Sequence, residues 1–527
     1  MSTHLTDVLS QAYDAVPYAS HPFPQSAPEN LEAIAHLFGL AACPPAQARV
    51  LELGCASGGN LIPLAARYPQ LQAVGIDLST VQVQQGQQDI TRAGLGNVTL
   101  KNMNLEEVDA SLGQFDYIIC HGVYSWVPPA VQTAILRIAS ENLAPDGVVY
   151  ISYNTYPGWK AREIVRDAML LRGADRATPA EKLSYARGMV EFLHDMARDG
   201  SVLKKTLEET MPTIQNSQDY YLIHEFLEAC NAPCYLKDFV AAAGAQGLAY
   251  LGDAEPSTMF VSNYGDKVAT PLLQECGSSQ VMLEQYLDFI VNRQFRQTVL
   301  VKQARASSVR YQLDHARIRH MAYAALFQCE EPITLDGGPV QCKAWRNVDV
   351  TLNTPVSKAL ALTLNAHYPG TVTQEALLDA VCQAVGQPPA TVEPELLDML
   401  NHLIITGGVR YRRTAVLAPA AVSPQPQLSA QYRQALVPGQ PAPTTLCNAW
   451  HEDVALGIVQ QSILPLLDGH HGTETLVAHL LQEAQAGRIR FLRQGATVTD
   501  AADMERSARE QLPAALEGLR QQALLAS

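Results

Sequence analysis

The stretch Val50-Leu-Glu-Leu-Gly-Cys-Ala-Ser-Gly-Gly-Asn60 decides how this chain is read. Four mainly apolar residues run into a glycine-rich turn, and the helical segment Leu61 to Arg67 follows, so Arg49 to Leu53 reads as a buried strand. A second strand ends in Val74-Gly-Ile-Asp77-Leu-Ser. Asp77 therefore follows Gly54 at about the twenty-residue spacing that sets a carboxylate against a ribose in an open α/β sheet. The loop is not Gly-x-Gly-x-x-Gly. It is Glu-x-Gly-x-x-x-Gly-Gly, with Glu52 near the end of the strand. A carboxylate at that mouth repels a pyrophosphate and tolerates or attracts a ligand that carries an ammonium and a sulfonium.

Outward from this unit, Val98 to Leu100 reads as a third strand, Phe115 to Cys120 as a fourth, and Val148 to Tyr153 as a fifth after a turn at Pro145-Asp-Gly147. Ala130 to Asn142 has helical period, and Leu31 to Phe38 reads as a helix capped by Asn30. Strand and helix alternate, which predicts an α/β fold: a Rossmann-like, mostly parallel seven-stranded sheet with helices on both faces. Residues 1–30 are rich in Tyr and Pro, including Tyr13 and Tyr18, and read as an ordered arm.

At 527 residues the chain has room for roughly three or four domains. A hydrophobic content of 47% and a charged content of 17% describe a globular protein with real cores. A net charge of -15 disfavours a general nucleic-acid binder, which needs clustered Lys and Arg. The opening Met-Ser-Thr-His-Leu-Thr-Asp has no basic region ahead of an apolar core, and no apolar run approaches the ~20 residues of a membrane span. The 10 cysteines are scattered, with no Cys-x-x-Cys, and are expected as reduced core thiols in a cytoplasmic protein. His224, Cys230 and Cys234 have a loose ligand spacing. One face of a helix plus the next loop accounts for them better, so no metal is expected.

Beyond Pro157 the chain reads as mainly helical: Ala161 to Leu171, Glu181 to Arg198, Tyr220 to Ala245 with a break at Pro233, and one long amphipathic helix from Val281 to Gln303. Arg293, Arg296, Lys302, Arg305, Arg310, Arg317 and Arg319 form a basic span, read as a solvated face or as partners for the acid excess. Helices at Pro355 to Ala366, Thr373 to Val385 and Pro394 to Ile405, followed by Gly407-Gly-Val-Arg-Tyr-Arg-Arg413, predict a winged helix whose Arg410, Arg412 and Arg413 suit protein packing better than DNA. Residues 416–447 are rich in Pro, Ala and Gln and read as a linker.

The loop resembles the first motif of class I S-adenosylmethionine-dependent methyltransferases. A closer resemblance rests on Tyr13-Asp-Ala-Val-Pro-Tyr18 with Pro22-Phe-Pro-Gln25, Phe115-Asp-Tyr-Ile-Ile-Cys-His121-Gly-Val-Tyr-Ser-Trp-Val-Pro128, Tyr150-Ile-Ser-Tyr-Asn-Thr-Tyr-Pro-Gly-Trp159 and Tyr220-Tyr-Leu-Ile-His-Glu-Phe-Leu227. Tyr235-Leu-Lys-Asp-Phe239 and Tyr286-Leu-Asp-Phe-Ile-Val-Asn-Arg-Gln-Phe-Arg296 extend it. These motifs resemble bacterial methyltransferases that carry a methyltransferase regulatory domain, a group that includes protein-lysine methyltransferases acting on outer-membrane protein B. The match covers about residues 10–305 and thins beyond. It implies a donor-binding domain with the arm (1–160), a helical insertion able to form a homodimer (161–215), a regulatory middle domain (216–305), a winged-helix-like domain (306–415), the linker (416–447) and a C-terminal helical region (448–527) that helps select a protein substrate.

A bound methyl donor leaves positioning as the main task of the protein. Gly54, Gly58 and Gly59 let the backbone approach the homocysteine portion, with Cys55, Ala56 and Asn60 in the same loop. Asp77 is expected to accept two ribose hydroxyls and Leu78 to flank the adenine. Asn104, with Leu105 beside it, lies where an Asp often meets the adenine amino group. His121 is expected to touch the donor or orient the acceptor. Tyr124 and Trp126 are expected to wall an acceptor channel, joined by Tyr18, Tyr153, Tyr156 and Trp159, with Tyr153 as the polar contact to an acceptor amine. No general base is named, because an apolar channel and a nearby sulfonium both lower a lysine pKa from ~10.4. Two other readings stay open: a small-molecule methyltransferase, and a donor-binding regulator without turnover.

Overall fold

The computed structural model describes residues 20–433, 436, 442–493 and 496–526, so Tyr13 and Tyr18 lie outside the described residues. Five parallel strands follow the expected order along the chain: β1 (Arg49–Leu53), β2 (Gln72–Asp77), β3 (Val98–Asn102), β4 (Phe115–Cys120) and β5 (Leu143–Asn154). Two more, β6 (Leu248–Asp253) and β7 (Phe295–Lys302), complete a seven-stranded sheet of order β3-β2-β1-β4-β5-β7-β6. β7 runs antiparallel between β5 and β6. The order reverses beside β1, and in open α/β sheets the ligand crevice opens at that point.

Side-chain alternation along the strands builds two cores. Val50, Tyr117, Ile119 and Tyr150 face one side with α1 (Pro28–Leu37), α2 (Leu61–Arg67) and α3 (Thr80–Arg92). Leu51, Leu53, Ile118, Ile151 and Tyr153 face the other, with α4 (Pro129–Glu141) and Phe239. The helix α1 starts earlier than its apolar period suggests, because Pro28 occupies a first-turn position where a missing N–H costs nothing. Asn30 is therefore not its cap. Its amide donates instead to the carbonyls of Gln25 and Ala254.

The long helix expected from Val281 to Gln303 does not form. A helix spans Gln280–Ile290, Asn292 adopts a left-handed φ of 49°, and the chain leaves as β7. Tyr286 to Val301 carries enough apolar residues to satisfy a helical period, but pairing with β5 and β6 selects the strand. The sheet is thus finished by residues 248–302, well beyond residue 160. Arg296 on β7 is fully buried, held by Asp288 at 2.8 Å, Glu284 at 2.9 Å and Asp253 at 3.5 Å rather than lying on a solvated face.

Residues 158–226 form a helical cluster around Val165, Met169, Leu207 and Phe226. The three helices expected after residue 350 occur at Pro355–His367, Gln374–Val385 and Pro389–Thr406, around a core that includes Leu360, Leu396 and Leu400. Cys329 and Cys342 face each other across an antiparallel pair and form a disulfide, against the expectation of ten reduced thiols. The segment expected as a linker enters a further core: Leu428 is fully buried with Leu476, Leu480 and Leu519. Among the described residues no helix is long and apolar enough to cross a membrane.

Candidate active site

Where β1 ends, Gly54 takes φ +76° and Ala56 φ +48°, turning the chain sharply toward α2. Asp77 braces this loop. Its Oδ2 accepts from the Ala56 amide at 2.8 Å and its Oδ1 from the Ser79 amide at 2.8 Å. Glu52 points to the same place from β1 and is buried. Its Oε1 accepts from Asn60 Nδ2 at 2.8 Å, and its Oε2 has no hydrogen-bond partner among the described residues. Burial pushes the Glu52 carboxyl up to about 8, with the neighbouring Asp77 charge adding to the rise and the Asn60 bond opposing it.

These groups line one end of a cavity of about 540 Å³, which Cys55, Ala56, Asn60, Leu78, Asn104, Leu105 and His121 also reach. Gly58 does not line it. With φ +82° it turns the loop, and a Cβ there would press on Leu100 and Ile62. Asn104 caps the short turn after β3, accepting from the Glu106 amide at 3.0 Å. The arm closes the loop from outside: the Gly59 amide donates to Ser20 Oγ at 2.7 Å, and Phe23 stacks on His121 at 3.8 Å. His121 Nδ1 lies 2.8 Å from the Tyr150 hydroxyl and 3.3 Å from Ser152 Oγ, and burial pushes its pKa down to about 4.

From there the cavity runs past Trp126 and Trp159, in edge contact at 6.0 Å, to Arg162, Tyr221, His224 and Glu225. Arg162 pairs with Glu225 at 3.2 Å and approaches the Trp159 ring at 5.8 Å. Burial raises the Glu225 carboxyl, and Arg162 opposes the rise. His224 Nδ1 meets Glu228 Oε1 at 2.6 Å. Among the described residues no His, Cys, Asp and Glu group could hold a metal.

Tyr153 and Tyr124, expected at the acceptor, fall elsewhere. Tyr153 stacks on Phe239 at 4.2 Å and shares a hydrogen bond with Thr298 Oγ1 at 2.9 Å. Tyr124 meets the edge of the same Phe239 at 5.1 Å. Strand alternation explains the displacement: Tyr150 and Ser152 point toward His121, so Tyr153 points to the opposite face. Neither tyrosine lines the cavity, and Tyr156 bonds Glu163 instead. The same alternation marks Asn154, which does line it. Phe23, Arg162, Tyr221, Glu225 and Phe295 also escaped sequence reasoning. Phe23 had a signal in the Pro-Phe-Pro of the arm, and Phe295 was hidden in a segment with helical period.

A half-satisfied buried carboxylate, an acceptor-only Asp beside a tight loop and an apolar floor suit a ligand with a cationic head, a sugar and a base. Comparison with known proteins agrees. Residues 50–147 match a family model described as "Methyltransferase domain", residues 218–302 one described as "Predicted methyltransferase regulatory domain", and residues 425–524 one described as "PKMT, C-terminal winged helix domain". The chain superposes on PKMT2 from Rickettsia typhi, solved in complex with AdoHcy, with a TM-score of 0.86 at 27% identity, covering 97% of this chain and 100% of that one. The chain belongs to the PKMT-type S-adenosylmethionine-dependent methyltransferases. An uncharacterized protein of Rickettsia prowazekii, RP789, is 29% identical over 497 residues, 92% of this chain and 88% of its own length. A second protein of that organism, RP028, is 37% identical over 233 residues, 44% of this chain and 93% of its own length.

The winged-helix family model thus falls at 425–524, across the expected linker and C-terminal region. The glycine turn at 407–408 leads into a strand, Arg410–Arg412, paired antiparallel with Ala322–Ala324. Arg410 is clamped between Trp345 at 4.4 Å and Trp450 at 3.8 Å and paired with Glu452 at 2.7 Å, while Arg412 is buried against Asn30. Both arginines hold modules together and leave little to offer a phosphate backbone.

Proposed function

We propose that this S-adenosylmethionine-dependent methyltransferase transfers its methyl to the side-chain amine of a lysine in a protein substrate. The observation that carries the reading is the continuity of the cavity from the Glu52 and Asp77 end to the Trp126 and Trp159 end. In this assignment Glu52 receives the ammonium of the donor, Asp77 the ribose hydroxyls, and Leu78, Asn104 and Leu105 surround the adenine. The donor, when bound, supplies an electrophilic methyl on a sulfonium: the amine lone pair forms the N–C bond as the C–S bond breaks, its electron pair passing to sulfur.

Trp126 and Trp159 line the acceptor passage with apolar surface, which disfavours the charged form of an entering amine and promotes loss of its proton before attack. Aromatic faces still attract the arriving ammonium, by about 0.5–2 kcal/mol each. Arg162 and Glu225 frame the far end of the passage. His121, held near 4, is too weak a base to take a lysine proton and serves as a wall of the donor end. The Rickettsia typhi PKMT2 holds AdoHcy, the demethylated form of the donor, which supports the donor half of the reading. The long helical and winged-helix extension supports a macromolecular acceptor over a small one. We also place the enzyme in the cytoplasm and assign a homodimer contact to the insertion helices, where Leu171, Phe192, Met196 and Val202 are exposed.

The test is transfer of label from tritiated donor into lysate, separated into protein and small-molecule fractions, with peptide mapping of the labelled protein. Label on lysine is expected. Label confined to small molecules sinks the lysine assignment. Asp77→Ala is expected to weaken donor binding at least tenfold, and undiminished binding sinks the ribose role.

A further inference from the structure

The C-terminal module touches the donor end of the cavity at one buried hydrogen-bonded chain. His451 lies in the hairpin between strands Thr445–Cys447 and Asp453–Ala455 and is fully buried. Its Nε2 lies 2.8 Å from Asn60 Oδ1. Asn60, also buried, uses its whole carboxamide: Oδ1 additionally accepts from the Phe23 amide at 3.0 Å, and Nδ2 donates to Glu52 Oε1 at 2.8 Å and to Ser26 Oγ at 3.2 Å. The Phe23 N–H can only donate, which fixes which end of the amide is oxygen and requires His451 to donate from Nε2. The imidazole is neutral, its pKa pushed down to about 3 by burial with Arg67 adding to the fall, so Nδ1 is the acceptor, with the Cys447 thiol 3.5 Å away.

We propose that His451 is a positioning residue of the donor site, orienting Asn60 and through it the Glu52 carboxylate, so that the winged-helix module completes the donor pocket from behind. The proposal rests on the reading of Glu52 as the group that meets the donor ammonium. Among the described residues Asn60 is the hydrogen-bond partner that anchors Glu52, so the aim of the open Oε2 depends on how Asn60 is held. His451 also keeps a left-handed φ of 62°, uncommon for a residue with a side chain and maintained where surroundings over-determine it. Those surroundings are present. Asn448 Oδ1 accepts from the Trp450 and Glu452 amides at 2.9 Å each, and Arg67, paired with Glu29 at 2.7 Å, donates to the Asn448 carbonyl. The hairpin is clamped beside α2 and presents one imidazole N–H to the residue that leads into that helix.

Calorimetric titration of the full chain with S-adenosylhomocysteine tests this. His451→Asn keeps a residue type tolerant of positive φ but places its amide where Nδ1 now lies, short of Asn60. It is expected to raise the Kd roughly tenfold, and the donor KM with it, while kcat at saturating donor stays within about twofold. His451→Gln, whose amide extends to the position of Nε2, is expected to recover most of the loss. His451→Gly relaxes the left-handed backbone and opens a hole that added imidazole is expected to fill, restoring affinity even if H451N fails to fold. Folded H451N that binds as tightly as wild type overturns the proposal, as do equal losses in H451N and H451Q, or H451G affinity that imidazole leaves unchanged. Wild type without measurable binding overturns the Glu52 reading itself, a separate outcome.

Discussion

Glu52→Gln isolates the group on which the donor site turns. An ordinary Glu titrates near 4.5, and burial holds this one near 8. The folded chain therefore keeps a proton that the unfolded chain has already released. Glu52 contributes most to stability below about 4.5, and that contribution drains away as pH rises toward 8. A gap of roughly 3.5 pKa units at about 1.36 kcal/mol each corresponds to about 5 kcal/mol above pH 8, of which about 3 kcal/mol is lost between pH 5.5 and 8.5. Gln keeps the acceptor for Asn60 and removes the ionisation. Its amide N–H, unpartnered where Oε2 now lies, costs about 1–3 kcal/mol at every pH and so leaves the slope unaffected. Urea denaturation of the unliganded protein should show E52Q gaining on wild type by about 3 kcal/mol across pH 5.5–8.5. The same variant should bind S-adenosylhomocysteine about 10–100-fold more weakly, the worth of a charge-assisted hydrogen bond. Wild type at pH 7 should release a proton on binding, read as a dependence of the calorimetric heat on buffer ionisation enthalpy. A flat stability difference would refute the raised pKa, and equal affinity would refute the contact with the ammonium.

Gly54→Ala forces a Cβ onto a φ of +76° and to 2.3 Å from Val123 Cγ2, so a stability loss of about 1–3 kcal/mol and a raised donor KM are expected from denaturation and initial rates. Arg296→Met leaves Glu284 and Asp253 buried without the Arg296 guanidinium and Asp288 with Arg293 at 2.6 Å, and urea melts should show a loss of about 3–5 kcal/mol, with an unchanged midpoint ruling out the buried ion cluster. Because His121 is held near 4, the pH–rate profile of wild type from pH 5.5 to 9 should carry no inflection from it; one that His121→Asn removes would contradict this.

How much of this was legible beforehand depends on the reach of the interactions. Strands β1, β2 and β4 and the helix α2 match their sequence reading because each is specified by a short apolar run and an adjacent turn. Glu52, Asp77, Asn104 and His121 converge on one cavity because each ends or follows a strand at the same edge of the sheet. Tyr153 falls away from it because of the two-residue alternation of β5, and Tyr124 because the short turn Tyr124–Trp126 seats its ring against Phe239. The glycine turn and arginines at 407–413 predicted a strand that the structure contains, but not that Arg410 on it packs between Trp345 and Trp450, which lie far away along the chain.

The sheet's parallel half, its glycine loop and the acids that flank it are written in the chain itself, since they depend on neighbours within a few tens of residues. Long-range packing fixes the rest. Residues 295–302 became a strand only by lying between β5 and β6. The far end of the cavity is assembled from Trp126 on one turn, Trp159 and Arg162 on one helix and Glu225 on another, and His451 meets Asn60 across 391 positions of chain. Contacts of that span follow from which surfaces bury each other, and local propensity carries no record of them.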